Sequence, residues 1–306
     1  VGGYVIQRVV SGIEPPHWIN YDKTGAEKQS KPVAAPLQEP DAMPFSTSGQ
    51  ILRATTFGES HGAGVGVVVD GVPAGLLLDE EVIQKQLDRR RPGTSAFVTP
   101  RQEEDKVEIL SAVASGRTLG TPVALLVRNT NQRSKDYGDL LQKFRPGHAD
   151  YAYFKKYGTA PQPGGGRSSG RETLARVAAG AIARLILGDS VSIRSATTQV
   201  GVIVAAALNF DHAEGNPLRF SDPARTAEAE ALVTAIRERG DSVGGVVTLC
   251  ASGVPAGLGE PVFDKLDALL GGALFSLGGV KGVEFGAGFA VAGRCGSANN
   301  GAITPA

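Results

Sequence analysis

Three glycines, an arginine and two serines in a row, Gly164-Gly165-Gly166-Arg167-Ser168-Ser169, run into an alanine-rich stretch that spaces Leu174, Val177, Ala178, Ala181, Ile182 and Leu185 as one face of a helix. Glycines release the backbone into left-handed turns, and the first N–H groups of a helix have no intrahelical partner, so such a junction suits an anion. Ser169 is expected to cap the helix and Glu172, three residues on, to close a capping box. An ordinary capped helix after a glycine loop fits the same residues.

Two histidines stand in glycine-flanked loops, Glu59-Ser60-His61-Gly62 and Arg145-Pro146-Gly147-His148-Ala149-Asp150, whereas His17 and His212 are expected to be solvated. Imidazole titrates near neutral pH and can serve as general acid toward a leaving phosphate or a flavin. Arginines cluster in or beside loops: Arg89, Arg90, Arg91, Arg101, Arg133, Arg145, Arg167 and Arg171. A salt-bridged solvated face would account for them, but guanidinium also pairs phosphate and carboxylate two-pronged, so converging loops would suit a small polyanion. Gly58-Glu59-Ser60-His61-Gly62 matches the G-x-S-x-G elbow of serine hydrolases. That elbow requires a helix after the serine, and here the strand pattern Val65–Asp70 follows instead, so the hydrolase reading fails on context. No H-x-x-x-H or C-x-x-C spacing occurs, and no metal site is expected.

The elements that must position these loops follow from pattern. The chain of 306 residues carries 31 basic and 31 acidic side chains, which gives no bulk electrostatic case for nucleic acid or an anionic membrane surface. Cys250 and Cys295 are too few for a disulfide framework, no apolar run is long enough for a bilayer, and the reading is cytoplasmic. Residues 1–48 are proline-interrupted and without periodicity, so a poorly ordered or non-native extension is expected; Met43, the sole methionine, is a candidate true start. Strands are expected over Val65–Asp70, Val107–Val113, Pro122–Val127, Val191–Val204 and Val243–Ser252. Helices are expected over Asp79–Arg91, capped by Asp79 with Val82, Ile83 and Leu87 inward, from Asp222-Pro223 to Gly240, and over Pro261–Leu274. This order reads as α+β.

Taken together, several motifs in one order resemble the chorismate synthase family. They are Thr56-Phe57-Gly58-Glu59-Ser60-His61-Gly62 with Asp70-Gly71-Val72-Pro73, Asp88-Arg89-Arg90-Arg91-Pro92-Gly93-Thr94, Asn131-Gln132-Arg133-Ser134-Lys135-Asp136-Tyr137, Phe144-Arg145-Pro146-Gly147-His148-Ala149-Asp150, Gly165-Gly166-Arg167-Ser168-Ser169, Ser252-Gly253-Val254-Pro255-Ala256-Gly257-Leu258-Gly259-Glu260-Pro261 and Val280-Lys281-Gly282-Val283-Glu284. The resemblance covers about residues 49–300. It implies a lyase of the shikimate pathway and aromatic amino acid biosynthesis that eliminates phosphate from 5-enolpyruvylshikimate 3-phosphate to give chorismate, with reduced FMN and with NADPH as a candidate reductant. By matched position it implies His148 as acid toward the phosphate, His61 as proton donor to the reduced flavin, and Arg90, Arg145 and Arg171 as substrate ligands. Arg167, Ser168 and Ser169 would contact FMN, with Gly278-Gly279 at a flavin-proximal turn. Ala96 stands where many members carry arginine. The implied fold is α+β, with helices sandwiched between antiparallel sheets, in a homotetramer. The family pattern continues past Ala306, so residues 49–306 are read as a domain lacking its C-terminal part, its second sheet incomplete. Weak FMN binding and poor turnover are expected on that account, and a non-catalytic remnant or interaction module is the alternative.

Overall fold

The computed structural model describes residues 4–11 (backbone), 46–93, 95, 97, 103–130, 144–145, 147–158 and 162–300. Met43, His17, Ala96, Arg101 and Arg133 lie outside them, as does the rest of the expected extension from residue 12 to residue 45. Two compact units form: Glu14–Gly93 with Pro100–Ile186, and Val1–Ile13 with Thr94–Thr99 and Leu187–Ala306. The first strand, β1 (Tyr4–Ser11), belongs to the second of these.

The first unit is built on a five-stranded antiparallel sheet formed by β2 (Thr47–Ser48), β3 (Arg53–Gly58), β4 (Gly64–Asp70), β5 (Val107–Ile109) and, beyond a small hairpin of β6 (Val113–Ala114) and β7 (Arg117–Thr118), β8 (Val123–Arg128). The spatial order is β2-β3-β4-β8-β5. Side chains alternate across a strand, and one alternate set is apolar in both central strands: Val65, Val67 and Val69 stand directly opposite Val127, Leu125 and Val123, all buried. The strand expected over Val107–Val113 breaks after Ile109, because Ala112 turns left-handed (φ +63°) into the β6–β7 hairpin.

Helix α1 (Glu80–Arg90) and helix α3 (Thr173–Leu187), with α2 (Asp150–Tyr157) between them in the chain, complete this unit. Ile83 and Leu87 of α1 and Leu174, Ala178 and Ile182 of α3 share one apolar cluster with the valines of β4 and β8. Burying each large aliphatic side chain contributes about 1.5–3 kcal/mol, and cutting Leu125 back to alanine would cost about 2–5 kcal/mol. Asp79 caps α1 as expected, its Oδ1 accepting from the Val82 N–H at 3.0 Å. Val82 itself is only half-buried.

In the second unit β9 (Ser192–Val200), β10 (Ile203–Val204), β11 (Gly245–Ser252) and β12 (Val280–Val283) join β1 in an antiparallel sheet of order β10-β9-β11-β1-β12. Tyr4–Ser11 is thus a strand between β11 and β12, where no regular structure was expected. Its Val-Ile-x-x-Val-Val run has strong strand propensity, and β11 offers an edge to pair. Val191–Val204 is a hairpin instead of one strand, broken at Gly201 (φ +53°). Helix α4 (Phe210–Glu214) contains His212, whose Nε2 lies 2.8 Å from Thr226 Oγ1, so this histidine is half-buried and not in a solvated loop. Helix α5 (Thr226–Glu238) starts four residues after Asp222, whose carboxylate accepts from the N–H groups of Ala206 and Ala224 and turns the chain. Helix α6 (Leu266–Phe275) begins after a turn closed by Glu260 N–H donating to the Asp264 carbonyl, not at Pro261, and α7 (Gly296–Asn299) ends the described chain. No helix among the described residues is long and apolar enough to cross a membrane.

Candidate active site

Between β3 and β4 the chain makes a tight connection, Glu59 to Ala63, that carries Ser60 and His61. Antiparallel strands flank it on both sides, so Ser60 has no helix behind it, and it is 2% exposed. Its Oγ lies 3.0 Å from His61 Nδ1 and 3.3 Å from the Gly164 carbonyl oxygen. The segment Pro163–Ser168 that supplies this carbonyl winds through three left-handed glycines, Gly164 (φ +63°), Gly165 (φ +90°) and Gly166 (φ +54°). Only glycine holds such angles at little cost.

The glycines serve contact as well as conformation. A Cβ on Gly164 would collide with the His61 ring at Nδ1 and Cε1, and a Cβ on Gly165 would fall 2.8 Å from His148 Cε1 and Nε2. Two histidines 87 positions apart by number (148 − 61) therefore lean on two consecutive glycines. The bare backbone there forms a wall with an imidazole against each residue.

His148 sits in the turn that leads into α2. Its Nδ1 is 2.9 Å from Asp150 Oδ1, and Arg145 donates from Nε to Asp150 Oδ2 at 2.7 Å and from Nη2 to Oδ1 at 2.9 Å. Asp150 is buried, while Arg145 and His148 remain about a quarter exposed. The Arg145 guanidinium bonded to it holds the Asp150 carboxyl below the usual carboxylate range, against the opposing effect of burial.

A second charged cluster lies under the start of α3. Arg90, at the end of α1, donates from Nη1 to Asp105 Oδ2 at 3.0 Å and from Nη2 to the Gly170 carbonyl at 3.2 Å. Arg171 donates from Nη1 to the other Asp105 oxygen at 2.8 Å and from Nε to Asn129 Oδ1 at 2.6 Å. Arg171 is 5% exposed by its side chain, and its Nη2 is buried with no hydrogen-bond partner among the described residues, 3.9 Å from Glu103 Oε2. One carboxylate thus ties α1 to α3. Asn129, at the end of β8, also donates from Nδ2 to the carbonyls of Glu59 and Gly62, which braces the His61 turn.

Of the residues expected in a site, the first unit brings His61, His148 and the Gly164–Gly166 wall together and sets Arg145 beside His148. Arg90 and Arg171 share Asp105, whereas Arg89 and Arg91 are both exposed and pair with α1's own side chains, Gln86 and Asp88. Arg167 donates from Nη1 to the Gly58 carbonyl and from Nη2 to the Thr56 carbonyl, so its guanidinium staples the glycine loop to β3. Ser168 Oγ donates to the Gly165 carbonyl. Ser169 Oγ accepts from the Arg171 N–H at 3.3 Å, but the expected capping box does not form: Glu172 accepts from Thr56 Oγ1 at 2.9 Å and from Arg176 Nε at 2.8 Å instead. Gly278 and Gly279 belong to the other unit, between α6 and β12, where added Cβ atoms would meet nothing within 4 Å among the described residues.

Sequence reasoning did not single out Asp105, Glu103, Asn129 or Asp150. Asp150 stood inside a quoted motif, and its spacing of five from Arg145 was a usable signal. Asp105 carried none, since its left-handed backbone (φ +48°) and its burial are visible only in the fold.

The chain is similar to known proteins of one family. The family model described as chorismate synthase matches residues 52–305. A chorismate synthase of Oleidesulfovibrio alaskensis is 53% identical over 264 residues, covering 86% of this chain and 74% of that protein. One of Nitratidesulfovibrio vulgaris is 51% identical over 264 residues, covering 86% and 75%. A crystal structure of chorismate synthase superposes with a TM-score of 0.68 at 33% identity, over 82% of this chain and 74% of that one. All carry the enzyme's name, which lends the non-catalytic reading no support.

Proposed function

The chain belongs to the chorismate synthase family, carbon–oxygen lyases of aromatic amino acid biosynthesis that turn 5-enolpyruvylshikimate 3-phosphate into chorismate and phosphate, and we propose that it performs this elimination at the glycine wall faced by His61 and His148. The observation that carries the placement is the convergence of these two rings on Gly164 and Gly165.

The family's reaction uses a reduced flavin, and the residues present suit one. The loop backbone at Gly164–Gly165 is free of side chains, and proton-carrying rings lie against it. We assign the flavin as FMN, reducible by NADPH, held by Ser168 and Ser169 and by the loop that Arg167 staples to β3. When bound, the flavin supplies electron density to the allylic system as the C–O bond to phosphate breaks. The chain's own residues do the rest. His148 delivers a proton from Nε2 to the departing phosphate, and His61, steadied at Nδ1 by Ser60, holds a proton on the flavin side. Arg145 and Arg90, both partly exposed, offer guanidinium to phosphate and carboxylate. Arg171, buried against Asp105 and Glu103, acts on the substrate site by holding Arg90 in place through the shared Asp105 carboxylate. The same family membership supports a homotetramer, a cytoplasmic setting and the family's arrangement of helices sandwiched between antiparallel sheets.

The direct test is anaerobic incubation of the purified chain with 5-enolpyruvylshikimate 3-phosphate and photoreduced FMN. Equal amounts of phosphate and chorismate, formed only with reduced flavin, are expected. No release above the buffer rate from demonstrably folded protein overturns the reading.

A further inference from the structure

Asp150 receives more donors than a simple ion pair requires. Its Oδ2 accepts from Arg145 Nε and, at 3.3 Å, from the Arg145 backbone N–H, and its Oδ1 accepts from Arg145 Nη2 and stands 2.9 Å from His148 Nδ1. The carboxylate is buried, and it opens α2, where the helix N-terminus favours negative charge. An ionised carboxylate only accepts, so the contact with His148 requires hydrogen on Nδ1. Arg145 Nη2 also approaches Nδ1, at 3.2 Å. A ring nitrogen carrying hydrogen cannot accept a second one, so that approach reflects two donors converging on the single oxygen Oδ1. The competing arrangement, Arg145 donating to a bare Nδ1, would put the ring hydrogen on Nε2.

We propose that Asp150 is a positioning residue for the elimination: one buried carboxylate fixes the His148 imidazole with hydrogen on Nδ1 and Nε2 toward the glycine wall, and holds Arg145 beside it. In the neutral ring Nε2 then bears the lone pair, and the proton gained there is the one that can leave with the phosphate. This rests on the function proposed above. An amide could not replace the carboxylate. It has one accepting oxygen, and whichever way it turns, its NH2 faces either Arg145 or His148.

The test begins with the unaltered protein, labelled with 15N-histidine, at a pH of about 8.5 where an ordinary imidazole is neutral. Long-range proton–nitrogen correlation, assigned by the signal lost in His148→Ala, is expected to show the Nδ1–H tautomer; the Nε2–H tautomer overturns the proposal whether or not any variant folds. In Asp150→Asn, kcat is expected to fall on the order of 10²-fold, the lower range for a misplaced general acid. The same substitution on a His148→Ala background should change kcat less than about threefold, because residues acting as a unit are not additive. An equal fall on both backgrounds overturns the proposal. Failure of the functional reading looks different: the Nδ1–H tautomer would be present while the unaltered protein made no chorismate.

Discussion

The ring of His61 fills the space that a side chain on Gly164 would need. Gly164→Ala must therefore move the imidazole or the loop, and it adds about 1–2 kcal/mol for an L-residue held left-handed. Activity should fall at least about tenfold with a lowered melting temperature. Gly180, inside α3 with nothing within 4 Å of an added Cβ, is the control: Gly180→Ala should leave activity unchanged and stabilise by up to about 1 kcal/mol. Thermal melts and initial rates of the two variants decide; equal behaviour would contradict the contact.

Arg171 is the counter-ion for two carboxylates that see almost no solvent, Asp105 and Glu103. Removing one partner of a buried ion cluster leaves charge uncompensated and typically costs about 3–5 kcal/mol. Arg171→Ala is expected to lose several degrees of melting temperature, and Arg89→Ala, at the exposed face of α1, to stay within about 0.5 kcal/mol of the parent. Similar losses in both would mean that the cluster is not the structural knot described.

The pH dependence of stability follows from Asp150. Arg145 depresses its carboxyl in the folded state relative to the usual 3.8, so the stabilisation is complete above that value and disappears as pH falls through the lower folded one. The stability gap between the parent and Asp150→Asn should be present at about pH 5, where an ordinary carboxylate is ionised, and close in stronger acid. Denaturant unfolding at a series of pH values checks this, and a gap that stays constant down to about pH 2 would not fit.

Asn129 braces the turn that carries His61. Asn129→Ala removes the two donors that reach the Glu59 and Gly62 carbonyls, leaving polar groups that cost about 1–3 kcal/mol each where buried. Hydrogen exchange at Gly62, whose N–H donates to the Glu59 carbonyl at 3.1 Å, should accelerate, and kcat should drop about tenfold. Protection unchanged in the variant would remove Asn129 from the account.

Ser60 should resist fluorophosphonates. It is 2% exposed and lies between antiparallel strands, so intact-mass spectra are expected to show no adduct under conditions that label a serine hydrolase fully.

What the sequence could tell and what it could not divide along a physical line. Local signals held: the Asp79 cap, the inward face of α3 and the positive-φ turns at Gly164–Gly166 follow from near-neighbour sterics and hydrogen bonding. Charge partners did not. Three consecutive arginines look alike in a sequence, yet only Arg90 turns toward α3, because Asp105 waits there fifteen residues later on a left-handed backbone. Glu172 likewise was spaced to close a box with Ser169 and bonds instead to Thr56, distant in sequence, and to Arg176 one turn on. Of the motif residues read as site residues, the mutual placement of His61 and His148 could not be seen at all without the glycine wall between them.

Asn129 and the Glu59 carbonyl it supports are 70 residues apart, and the antiparallel register of β4 with β8 is what brings them level. A one-residue slip of β8 would send its valines to solvent and carry Asn129 away from the turn. During refolding, then, helices and collapse can come early, but enzymatic competence must wait for this strand pair to lock in register. Regain of activity is therefore a clock for that single event, slower than the recovery of helical signal and sensitive to insertions in β8 that the hairpin between β5 and β8 would tolerate.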